Sequence, residues 1–155
     1  MIIKLITLGD KMPKWVNDGY EEYQKRLKQD IQLQLIEISI AKRTKTTNIN
    51  TLLQQEAKSI QSKINKSDYI VSLDFRGKQY STEDFSEHIT NWQQFHPSIA
   101  FIVGGPDGVD ESISSMADEK ISLSKMTLPH PLVRVFLAEQ IYRAWSYAKG
   151  HPYHK

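Results

Sequence analysis

Three stretches of the chain concentrate side chains able to take a proton, hold an anion or stack on a flat ring. The first spans 122–134 and contains Thr127-Leu128-Pro129-His130-Pro131-Leu132-Val133-Arg134. Each proline locks its own φ and restricts the residue before it, so His130 sits on a backbone with little freedom. A rigid, partly apolar turn between a strand and a helix is a place to seat a small molecule. The second stretch is Gly104-Gly105-Pro106-Asp107-Gly108, where a backbone with few side chains lets a ligand come close. It is neither Gly-x-Gly-x-x-Gly nor a P-loop, and taken alone a plain tight turn between strand and helix is its commoner meaning. The third comprises Glu139 and Arg143 and the terminal run His151-Pro152-Tyr153-His154-Lys155. Glu139 and Arg143 have the spacing of a helical surface ion pair. The terminal five residues either fray or supply stacking rings and phosphate-contacting cations.

Composition narrows the classes open to these residues. At 155 residues the chain is read as one domain, 1–155, long enough to bury a core. The absence of cysteine removes disulfides, thiolate nucleophiles and thiolate metal sites. His130, His151 and His154 lack any ligand spacing, so no metal is expected. The apolar start, 2–8, is too short for a signal core, and no run reaches membrane-spanning length, so no membrane association and a cytoplasmic location are expected. The net charge is only +2, but it is unevenly spread. Residues 121–155 hold Lys125, Arg134, Arg143, Lys149 and Lys155 against Glu139 alone, and 41–50 holds Lys42, Arg43 and Lys45 with no acid. That distribution points to a polyanion such as RNA, although solvated surface charge is the commoner meaning of so small an excess.

The elements that must position these residues alternate regularly. Strands are expected at 2–8, 31–40, 68–74, 98–103 and 120–124, the last four each preceded by a helical segment. Helices are expected from Pro13 to about Gln29, with a stripe of Trp15, Val16, Tyr20, Tyr23 and Leu27, and over 51–64 behind an Asn50 cap. Others open at Ser81, whose Ser-x-x-Asp pattern fits a cap, and over 110–117. The last runs from Pro131 to about Lys149, with Gly150 as its stop. Phe75-Arg76-Gly77-Lys78 reads as the turn that ends the third strand. The class is therefore α/β with a mainly parallel sheet flanked by helices. The last helix carries Leu132, Val133, Phe136, Leu137, Ile141, Ala144, Trp145 and Ala148, more than one apolar stripe. It is either deeply buried or shared with a partner chain.

Taken together, several motifs resemble the RlmH family, SPOUT-class methyltransferases acting on N3 of a pseudouridine in 23S ribosomal RNA. They are Gly9-x-Lys11-x-Pro13, Leu73-Asp74, Phe101-Ile102-Val103-Gly104-Gly105-Pro106-Asp107-Gly108, Leu123-Ser124, the 127–134 run, Glu139-Gln140-x-Tyr142-Arg143-Ala144 and His151-Pro152-Tyr153-His154. The resemblance spans essentially the whole chain in order. It implies a SPOUT-type fold with a C-terminal deep trefoil knot in about 100–150, against the general rarity of knots. It also implies a homodimer acting on 23S rRNA in the ribosome. S-adenosyl-L-methionine would bind at the knot beside Leu73, Gly104, Leu123, Ser124, Lys125, Met126, Thr127 and Leu128, read largely by backbone groups.

By the same resemblance His130, Arg134, Arg143, Tyr153 and His154 are the catalytic candidates. The acceptor imide nitrogen must shed a proton, so the site needs a base or a cation for the imide anion. A histidine would take the proton, an arginine would steady the anion or a phosphate, and Tyr153 would orient the base. Which residue is the base, and whether the tail acts in its own protomer or across a dimer, stays open. The family pattern leads one to expect a terminal arginine; Lys155 is an imperfect substitute for two-pronged phosphate binding. Two alternatives share the element pattern. A flavodoxin-like or Rossmann nucleotide-binding domain lacks support in the glycine fingerprint after the first strand, where only Gly9 stands. A non-catalytic ribosome- or RNA-binding protein would keep the fold without turnover.

Overall fold

The structure, a computed structural model, describes residues 1–27 and 30–154, the side chain of His154 excepted. Strands β1 (Ile2–Leu8), β2 (Gln32–Ile38), β3 (Asp68–Lys78), β4 (Ser98–Val103) and β5 (Glu119–Ile121) alternate with helices α1 (Lys14–Arg26), α2 (Ile49–Gln61), α3 (Thr82–Phe95), α4 (Glu111–Met116) and α5 (His130–Ala148). A short 3-10 turn, Pro152–His154, closes the chain. The strands form one sheet in the order β2-β1-β4-β3-β5, and every neighbouring pair is parallel. This is the α/β class expected.

The apolar pattern explains the layering. β1 and β4 lie inside the sheet with helices on both faces, so nearly every side chain in them is buried. Ile3, Leu5, Ile99, Phe101 and Val71 pack with α1, α3 and α5 through Tyr20, Phe85, Ile89, Trp92, Leu137 and Ile141. Ile6, Leu8, Ala100, Ile102 and Ile70 pack on the other face with Ala57, Ile60 and Ile113 of α2 and α4. Successive strand residues therefore feed opposite layers, as the two-residue strand period requires.

Local chemistry moves several boundaries. α2 is capped by Asn48, whose side chain accepts from the N–H groups of Asn50 and Thr51, so the helix starts earlier than an Asn50 cap implies. Ser81 does cap α3, its hydroxyl accepting from Asp84 N–H at 3.0 Å. Trp15 is largely exposed rather than part of the α1 stripe, which buries Val16 and Tyr20. Helix α1 ends at Arg26; Gln29, its expected end, lies outside the described residues.

Two corrections shape the site. β3 does not stop at Asp74 but continues to Lys78, and both Leu73 and Lys78 register with Ile121. The intervening residues bow away from β5 and the backbone returns at Gly77, where a Cβ would lie 2.6 Å from the Ile121 carbonyl carbon. β5, conversely, stops at Ile121. Beyond it Ser122 Oγ donates to Ser124 O at 3.0 Å and Ser124 Oγ accepts from Met126 N–H at 2.9 Å. These side chain–backbone bonds take the place of a continuing ladder.

Candidate active site

A partly open cavity of about 250 Å³ lies where β3, β4 and β5 give way to loops. In parallel α/β sheets that is the end at which ligands bind. Leu73, Val103, Ile121, Leu123, Leu128 and Val133 give it apolar walls, while Gly104, Gly105, Gly108, Ser122, Ser124 and Thr127 bring backbone close to the space. Phe75 and Met126, exposed at 79% and 78%, stand on its rim. The Gly105–Gly108 turn is closed by reciprocal backbone bonds of 3.2 and 3.0 Å, with Gly108 at φ +81°. Arg43 braces it from outside: its Nε donates to Asp107 at 2.7 Å and its Nη1 to Glu56 at 3.1 Å. Arg43, counted above with a basic loop suited to RNA, is thus spent on the protein itself.

His130 lines the cavity at the first residue of α5. Burial, and then the Arg134 charge, push its pKa below the usual 6.5, against a weaker opposing backbone bond to Gly105. It is therefore a neutral imidazole near pH 7, able to accept a proton. Arg134 is 1% exposed. Its Nη1 donates to Glu37 at 2.5 Å and its Nη2 to the carbonyls of Gly9 and Leu8. It pins α5 to the ends of β1 and β2 instead of offering a free cation.

The remaining candidates gather elsewhere. Arg143 binds Glu139 at 2.5 Å, and its guanidinium lies 5.1 Å from the Tyr153 ring. Tyr153 packs edge-on to Tyr142 at 4.7 Å, and its hydroxyl lies 3.3 Å from both the Glu139 carboxylate, which accepts from it, and the Tyr23 hydroxyl. The hydroxyl's pKa is pushed up, chiefly by burial and then by the bond to Tyr23, so it stays protonated. The tail is docked by these bonds, not frayed as far as Tyr153. At 1.5 Å per residue, Arg143 stands about 20 Å along α5 from His130. The chain therefore holds two separate groupings, a cavity with an imidazole and a cluster of cation and tyrosine.

A family model described as "Predicted SPOUT methyltransferase" matches residues 1–154. The chain belongs to that family. Among named relatives, "Ribosomal RNA large subunit methyltransferase H" of Francisella tularensis subsp. novicida is 56% identical over 155 residues, the whole of both chains. The protein of the same name from Francisella philomiragia is 54% identical, again over the whole of both. That from Hahella chejuensis is 47% identical over the whole of this chain and 99% of its own.

Set on this SPOUT methyltransferase, the expected cofactor residues converge on the cavity: Leu73, Gly104, Leu123, Ser124, Met126, Thr127 and Leu128 all line it. Lys125 is exposed and does not. The His154 side chain and Lys155 lie outside the described residues. Sequence reasoning passed over Asp74 and Phe75 as wall residues because it treated that stretch as the stop of β3. Among the described residues no group of three His, Cys, Asp or Glu is placed to hold a metal ion, and no helix is long and apolar enough to cross a membrane.

Proposed function

We propose that this SPOUT methyltransferase transfers a methyl group from S-adenosylmethionine to N3 of a pseudouridine in 23S ribosomal RNA, working as a homodimer on the assembled ribosome. The observation that carries the reading is the cavity itself, whose walls are the 122–128 loop and the 104–108 turn. Its apolar faces suit a flat heterocycle, its exposed backbone suits the polar edge of a base, and the Asp74 carboxylate in its wall suits a cation. The relatives named above supply the ribosomal RNA of the large subunit as substrate class. On this reading the compartment is the cytoplasm, where ribosomes are.

The cofactor supplies an electrophilic methyl on a sulfonium, which becomes a neutral thioether as the methyl leaves. The chain's own work is to hold that methyl in line with the acceptor and to manage the imide proton. His130, neutral and at the cavity wall, is placed to take the proton from N3. Arg134 is a positioning residue, fixing the start of α5 and lowering the His130 pKa. Arg143 and Tyr153, with His154, would hold the RNA and steady the imide anion. Their distance from His130 within a protomer supports a site completed across the dimer. Leu132 and Trp15, exposed apolar side chains on α5 and α1, and the half-buried Phe136 give the dimer a surface. The trefoil knot belongs to the same reading: α5 leaves the edge strand β5, yet Arg134 reaches back to β1 and β2 beyond β3 and β4.

The test is to incubate labelled S-adenosylmethionine with ribosomes from a strain lacking the modification. Label is expected at a single pseudouridine N3 of 23S rRNA. Binding of cofactor and ribosome without transfer would leave only the non-catalytic alternative.

A further inference from the structure

Among the described residues Asp74 is the one acidic side chain in the cavity wall, and no lysine or arginine lines the same space. Its side chain is only 12% exposed, whereas its partner Arg76 is 68% exposed. Arg76 grips the carboxylate from the solvent side, Nε to Oδ1 at 3.1 Å and Nη2 to Oδ2 at 2.8 Å, while its backbone N–H reaches Oδ1 at 2.9 Å. These bonds, the side-chain ones foremost, hold the Asp74 carboxyl below the usual carboxylate range, so it is charged at neutral pH. Both residues lie in the bow that β3 makes between its two contacts with Ile121. The bow carries one anion into the cavity wall and leaves its counter-ion in water, where screening weakens it.

We infer that Asp74 makes this cavity select the positively charged methyl donor over its neutral demethylated product, with Arg76 tempering that preference from outside. The inference rests on S-adenosylmethionine being the ligand. Methyl transfer removes the ligand's sulfonium charge: the C–S bond breaks, its electron pair stays on sulfur, and a thioether remains. A fixed anion in the wall attracts the ligand before that step and not after it. The spent cofactor is thereby released in favour of a fresh one, with no movement of the protein needed. A neutral His130 on the same wall does not oppose the attraction.

Calorimetry with S-adenosylmethionine and S-adenosylhomocysteine on the full-length protein separates the possibilities. Asp74→Asn keeps an oxygen for the Arg76 N–H but removes the charge. It is expected to weaken the sulfonium ligand about tenfold, the size of one partly screened charge pair, while changing the thioether ligand less than about threefold. Arg76→Gln is expected to act in the opposite direction, widening the preference for the sulfonium a few-fold. Added salt should narrow the preference in the wild type and leave Asp74→Asn unmoved. Equal losses for both ligands in Asp74→Asn would make Asp74 merely structural and overturn the inference. An Arg76→Gln protein with an unchanged ratio would overturn the tempering role. A wild-type protein that binds neither ligand would instead sink the cofactor reading, and this inference with it.

Discussion

At the scale of single residues, His130 and Arg134 form a pair in which each explains the other. The guanidinium is buried, its two terminal nitrogens bonded to Glu37 and two carbonyls, and its charge discourages a proton on the imidazole one turn away. The folded His130 pKa lies below 6.5, so the unfolded chain takes up a proton first as the solution is acidified. Stability is accordingly lost as pH falls through 6.5 towards the folded value, and is constant with respect to this group above it. His130→Asn should flatten the stability curve in that window, read from urea midpoints across pH, while the curves run parallel at higher pH. Arg134→Gln leaves Glu37 and two chain carbonyls short of a donor and should cost about 2–4 kcal/mol in denaturant unfolding. In the same variant the His130 NMR titration should move upward. The sequence marked both residues as unusual but could not say that Arg134 turns inward, because a guanidinium on a helix start looks the same whether its partner is a substrate or the end of a distant strand.

Among the elements, the pair β3–β5 governs the cavity. The periodicity of residues 68–74 identified a strand, and Phe75-Arg76-Gly77-Lys78 carries the turn chemistry that ordinarily ends one. What overrode it is backbone pairing to Ile121, a contact with a partner more than forty positions on that no local pattern announces. Gly77 is the residue that permits the return. Gly77→Ala would set a Cβ 2.6–2.7 Å from Ile121 backbone atoms. Such a clash should cost about 1–3 kcal/mol and displace Ser122 and Leu123, so that cofactor affinity falls together with stability. Gly108→Ala meets no atom within 4 Å and bears only its positive φ, at a cost of about 1–2 kcal/mol. Comparing the two by thermal unfolding and cofactor titration distinguishes a steric from a conformational requirement. Alternation of strands and helices, the Ser81 cap and the glycine stop of α5 were all legible because they depend on neighbours in sequence. The short β5 was not, since Ser122 and Ser124 look like strand residues until their hydroxyls are seen bonding to the local backbone.

For the whole molecule, the separation of the cavity from the Arg143–Tyr153 cluster is the property that matters most. Removing residues 151–155 should abolish methyl transfer and leave cofactor affinity within about twofold, measured by calorimetry beside the ribosome assay; a fully active truncation would refute a catalytic tail. If, as proposed, the site is completed across a homodimer whose subunits exchange, mixing that truncation with a cavity-defective variant should restore part of the activity, because one composite site would then be intact. The sheet order has a consequence of another kind, for how the chain leaves the ribosome. β1 is made first yet pairs on one side with β4, residue for residue from Ile2↔Ser98 to Thr7↔Val103. Until Val103 has been synthesised, the nascent β1–β2 pair carries an apolar strand edge with nothing to cover it, and the Arg134 bond to the Gly9 carbonyl, 125 positions away, forms later still. Co-translational folding of this protein must therefore wait for most of its length, and its earliest half is the part most in need of shelter from other nascent chains.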